Sequence, residues 1–123
     1  MKANHNLPEF KKLIERYETI TIEEIIDKNR NKIELTGFGH RSTCALCKSV
    51  RLNSSNNNFE ECNYCIYSSV APNYEDDYRP CNKGINKDSY LKIMYAENSE
   101  QLLTAFRARA AHMRSILKKL NLE

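Results

Sequence analysis

The chain has 123 residues, a mass of 14.4 kDa, a formal net charge of +3 and a pI near 8.6; this allows one domain with a modest core and is mild for a dedicated nucleic-acid binder. Hydrophobic residues make up 41% and charged residues 28%, a balance that argues against wholesale disorder, and no apolar run approaches the length of a membrane span. The usage is skewed to fourteen Asn, eleven Lys and ten Ile with no Trp. These residues have AT-rich codons, as in a low-GC bacterium or a phage.

In chain order, Pro8 opens a helical pattern. Phe10, Leu13, Ile14 and Tyr17 fall at i, i+3, i+4 and i+7 on one face, with Lys11, Lys12, Glu15, Arg16 and Glu18 outside it. Thr21 followed by Glu24 has the form of a capping box and predicts a second, short helix over about 22–30. Seven basic residues balance seven acidic ones over residues 1–35, so both helices are expected to be scaffold. From Lys32 the period changes: Lys32-Ile33-Glu34-Leu35-Thr36 alternates and ends at Gly37-Phe38-Gly39, which predicts a short strand running into a turn. Ser49-Val50-Arg51-Leu52 predicts another strand, followed by a polar loop over 53–58.

Between and beyond these strands lie two matched cysteine pairs, Cys44-Ala-Leu-Cys47 and Cys62-Asn-Tyr-Cys65, separated by fourteen residues. A tetrahedral metal needs four thiolates converging on one point, and each C-x2-C turn delivers two from one tight loop; the expected cofactor is one structural zinc ion per chain. No signal-peptide pattern opens the sequence, which favours a reducing cytoplasm over a disulfide framework. A thioredoxin-like site needs one pair in a βαβ pattern, and the spacing matches neither common ferredoxin arrangement. His40, four residues before Cys44, and Cys81, in Arg79-Pro80-Cys81, are further candidates for the shell; as an alternative, Cys81 is a buried thiol behaving as a small hydrophobe. Two short strands with a cysteine turn between them resemble a zinc knuckle or ribbon hairpin over about residues 33–66, although no glycine follows the second cysteine of either pair.

Residues 68–88 contain Pro72, Pro80, the triplet Glu75-Asp76-Asp77 and Gly84 and predict a long irregular loop. Asp88 or Ser89 is expected to cap a short helix carrying Tyr90, Leu91, Ile93 and Met94. Asn98-Ser99 then opens the longest helix, over about 100–120. In it Leu102, Leu103, Phe106, Ala110, Met113, Ile116, Leu117 and Leu120 form a stripe expected to pack on the first helix. The expected fold is therefore α+β, a small zinc-stapled strand and loop centre flanked by N-terminal helices and a long C-terminal helix. As a single domain, 1–123, it divides into helical residues 1–31, a zinc-binding region 32–88 and helical residues 89–123.

Enzyme signatures are missing. His40 is followed by Arg41-Ser42, so there is no H-x-E of a zinc deaminase, and His5, His40 and His112 are too scattered for H-E-x-x-H. A shell of four thiolates also leaves zinc no open position for water. The whole excess of positive charge resides in residues 99–123, where Arg107, Arg114 and Lys118 form a basic stripe suited either to phosphate contact or to a solvated helix face. Six of the seven tyrosines lie between positions 64 and 95. Tyr64, Tyr67, Tyr74, Tyr78 and Arg79 make that region a candidate surface for a protein partner or for base stacking. The expected function is non-enzymatic: a small cytoplasmic zinc-binding protein, in a bacterium or phage-infected host, acting on a protein partner as an interaction, inhibitory or accessory factor. The alternative is a nucleic-acid or nucleotide binder that uses the basic helix and the tyrosine-rich loop.

Overall fold

The structure, a computed structural model, describes residues 6–38, 46, 66–70, 81 and 84–123. Their regular elements are α1 (Leu7–Thr19), α2 (Ile22–Asp27), α3 (Lys32–Thr36), α4 (Lys87–Met94) and α5 (Ser99–Leu120), with 3-10 turns at Ile66–Ser69 and Gly84–Asn86. Helix α1 has proline in its first turn and buries Phe10, Leu13, Ile14 and Tyr17, the face that the 3.6-residue period requires. At the start of α2 the Glu24 amide donates to the Thr21 hydroxyl and the Thr21 amide donates to Oε1 of Glu24, both at 3.2 Å. This is the reciprocal capping box. The helix stops at Asp27, short of the expected end, because Asn29 and Arg30 adopt φ 51° and 58° and the Arg30 amide donates back to the Ile25 carbonyl at 2.9 Å. That six-to-one bond is a Schellman closure.

The expected α+β class is corrected: among the described residues there is no strand, and the segment 32–36 is helical. Two local signals decide it. The Glu34 amide donates to Oδ1 of Asn31 at 3.1 Å, an N-cap, and Gly37 ends the turn at φ 75°, a left-handed conformation that glycine adopts without a Cβ penalty. In a strand Ile33 and Leu35 would share a face, whereas on a helix they point about 200° apart. Accordingly Leu35 is 5% exposed and Ile33 46%. The expected strand over 49–52 lies outside the described residues.

Helix α5 is the spine. Its first turn is capped by Asn98, whose Oδ1 accepts from the Gln101 amide at 2.8 Å, and its last turn closes on Asn121 at φ 58°. It packs along α1, α2 and α4. Tyr17 of α1 stacks on Phe106 of α5 with ring centroids 5.3 Å apart, and Ile20, Ile25, Ile93, Leu102, Met113 and Ile116 fill the space around them. Arg16 ties three helices together: its Nε donates to the Leu35 carbonyl at 3.1 Å and its Nη1 meets Glu24 at 2.9 Å. Lys32 donates to the Met94 carbonyl at 2.9 Å and Arg30 to that of Glu97, placing two cations at the C-terminal end of α4, where the helix dipole favours them. No helix among the described residues is long and apolar enough to cross a membrane.

Candidate functional site

Cys44, Cys47, Cys62, Cys65 and His40 lie outside the described residues, as do Tyr64, Tyr74, Tyr78 and Arg79. Their neighbours do not. Leu46, inside the first cysteine pair, is 3% exposed, and Ile66, directly after the second pair, is fully buried. Both belong to the one core cluster formed with α1 and α5. In the sequence Leu46 directly precedes Cys47, and Ile66 directly follows Cys65.

The chain leaving the second pair is held by two asparagines that give up ordinary capping. Asn6 occupies the N-cap position of α1 without making a side-chain cap; instead its Oδ1 accepts from the Ile66 amide at 2.9 Å, within a fully buried site. Asn86, at the N-cap position of α4, likewise makes no cap. Its Nδ2 donates to the Tyr67 carbonyl at 3.3 Å and its Oδ1 faces His112 Nε2 at 2.7 Å. With the amide nitrogen directed to Tyr67, Oδ1 is the acceptor and His112 carries its proton on Nε2. Burial, reinforced by the nearby charge of Arg109 and opposed by Asp88, holds the His112 pKa below the usual imidazole range.

Arg109 joins these parts. It is 2% exposed, its Nη1 donates to the Asn86 carbonyl at 2.8 Å and to the Ser89 hydroxyl at 2.9 Å, and its Nη2 donates to the Cys81 carbonyl at 2.7 Å. The guanidinium carbon lies 4.6 Å from the centre of the Tyr67 ring, and that ring meets Phe10 edge-on at 5.1 Å. No carboxylate pairs with Arg109 among the described residues, and its Nε has no hydrogen-bond partner. A buried cation is costly unless dipoles compensate it; here carbonyls, a hydroxyl and an aromatic face do so. The sequence places Arg109 only among the cations of the C-terminal helix, yet it falls between Phe106 and Met113 at i+3 and i−4. A lone arginine in register with an apolar stripe was the available signal.

The remaining predicted residues serve the scaffold or stand apart. Tyr67 is buried, and Cys81 is half-buried against the core. Arg107 turns toward α1, donating to the carbonyls of Tyr17 at 2.6 Å and Ile20 at 2.7 Å. Arg114 forks onto Glu18, with Nη2 donating to Oε1 at 2.6 Å. That hydrogen bond and the charges of Arg114 and Arg107 lower the Glu18 pKa. Lys118 is exposed. Arg114 and Lys118 are thus exposed, while Arg107 is half-buried and turned toward α1. The comparisons with known proteins found no matching family model, no matching curated protein and no matching solved structure.

Proposed function

We propose that the chain is a non-enzymatic, cytoplasmic zinc-binding protein in which Cys44, Cys47, Cys62 and Cys65 hold one structural zinc ion, and that it acts as an interaction or accessory factor toward another protein. The observation that carries this reading is the burial of Leu46 and Ile66 in one core. Leu46 is bonded to Cys47 of the first pair and Ile66 to Cys65 of the second, which supports ligands from both pairs entering one shell. A protein partner is preferred because Arg107 and Arg114 are engaged within the fold, whereas Tyr95, Ile26 and Ile33 are large apolar side chains left exposed. Such residues suit protein contact better than phosphate contact.

Metal analysis of the purified protein tests the reading. About one zinc per chain is expected, with Cys62→Ser losing both metal and thermal stability, because metal affinity in such a site is folding free energy. Iron in place of zinc, or a Cys62→Ser variant that melts with the wild type, would overturn it.

A further inference from the structure

We infer that the water-facing side of α5 and the groove beside it form the interface of an antiparallel two-fold dimer, the partner being a second copy of this chain. The inference is independent of the metal. Opposite the buried residues of α5, Gln101, Thr104, Ala108, Ala111, Ser115 and Lys118 recur at alternating steps of three and four and so share one face. All are exposed except Ala108, which is half-buried. Along the N-terminal half of that face runs an open groove of about 600 Å³, lined by Tyr95 and Ala96 after α4 and by Gln101, Thr104 and Ala108 of α5. Tyr95 is 71% exposed there.

Charge selects the occupant. Glu100 and Lys118 are exposed and form no ion pair among the described residues. They lie eighteen residues apart, which at about 100° per residue is about five full turns, so they occupy one edge of the face at opposite ends of the helix. A two-fold axis across the middle of α5 keeps that edge on the same side and reverses the ends. It sets Glu100 of each protomer against the partner's Lys118 and lays the two helix dipoles head to tail. The axis falls between Ala108 and Ala111, whose short side chains let the helices approach to about 8 Å, the close end of the usual range. Thr104 then meets the partner's Ser115, and the C-terminal half of the partner's helix enters the groove beside Tyr95. Lys92, which also lines the groove, has its charge offset by Asp88 at 3.2 Å. A parallel pair would instead oppose like charges at both ends. One helix pair makes a small interface, below about 1,200 Å², so the dimer is weak and concentration-dependent.

The test is sedimentation equilibrium on the full chain as purified, at low salt and rising protein concentration, with circular dichroism to confirm that each variant folds. The wild type is expected to pass from monomer to dimer below about 1 mM. Ala111→Arg, at an exposed position, is expected to weaken the dimer about tenfold or more, because it places two bulky cations at the axis. Glu100→Lys and Lys118→Glu each turn two attractive pairs into repulsive ones and are expected to weaken it about three- to tenfold. The double variant restores the attraction and is expected to return to within about twofold of the wild type. These reversals decide the matter if Ala111→Arg does not fold. A chain that stays monomeric to about 1 mM, a dimer untouched in folded Ala111→Arg, or a double reversal no tighter than the singles overturns the antiparallel pairing. None of these outcomes bears on the zinc reading.

Discussion

Replacing Arg107 with alanine removes two charged hydrogen bonds that close the C-terminal end of α1, to the carbonyls of Tyr17 at 2.6 Å and Ile20 at 2.7 Å. A hydrogen bond to a charged donor contributes about 1.5–3 kcal/mol when buried. Arg107 is only half-buried, so water can recover part of what the two carbonyls lose, and the lower end applies. Together with the loss of a cation at a helix C-terminus, the cost is about 2–3 kcal/mol. For a domain of this size that corresponds to a fall in melting temperature of roughly 8–12 °C. Arg107→Lys keeps the charge without the fork and is expected to lose about half as much. Lys118→Ala, drawn from the same expected stripe but exposed, should stay within about 0.5 kcal/mol of wild type. Thermal and urea unfolding followed by circular dichroism measure all three. If Arg107→Ala and Lys118→Ala melt together, within about 2 °C of wild type, Arg107 is not a strut between α5 and α1 and the reasoning fails.

Leu35→Ala is expected to cost about 2–3 kcal/mol and Ile33→Ala less than about 1 kcal/mol, since only Leu35 is buried; equal losses in urea unfolding would favour the strand that the helix displaces. Glu18 titrates below the usual carboxylate range because Arg114 hydrogen-bonds it. The stability from that pair is therefore full above the unfolded carboxylate value of about 4.3 and is lost as pH falls through the lower folded value. Carbon-detected NMR should show the Glu18 midpoint moving up in Arg114→Ala, and an unmoved midpoint would contradict the ion pair. His112 has a folded pKa depressed mainly by burial, so its contribution is full above about 6.5 and is lost as pH falls through the folded value. Between about pH 7 and 5 the stability of His112→Gln should fall less steeply than that of the wild type; parallel curves would mean that His112 is not held neutral.

Much of the helical frame is legible in the chain itself. The stripes of α1 and α5 and the capping residues Thr21 and Asn98 are local, repeated every three or four residues, and they appear where the periodicity puts them. The cysteine spacing is local too, and the proposed zinc chemistry starts from it. Five residues were too few to separate the alternation of Lys32–Thr36 from one helical turn, although Asn31 and Gly37 carried the cap and the stop. Periodicity weighs side chains by polarity and passes over the backbone groups that those two residues satisfy.

Tertiary packing decided the roles of the arginines. By sequence Arg107, Arg109, Arg114 and Lys118 are four cations on one helix; in the fold Arg107 closes the end of α1, Arg114 forks onto Glu18, Lys118 faces water and Arg109 is buried among carbonyls. Their chemistry is set by acceptors between 20 and 96 positions away in the chain, and a long flexible side chain takes its role from whichever dipoles the packing brings within reach. The sequence by itself determined which segments could be amphipathic helices and which residues could hold a metal. Only the tertiary structure determined which charges are spent inside the protein, because desolvation and hydrogen-bond geometry exist only once the helices have met.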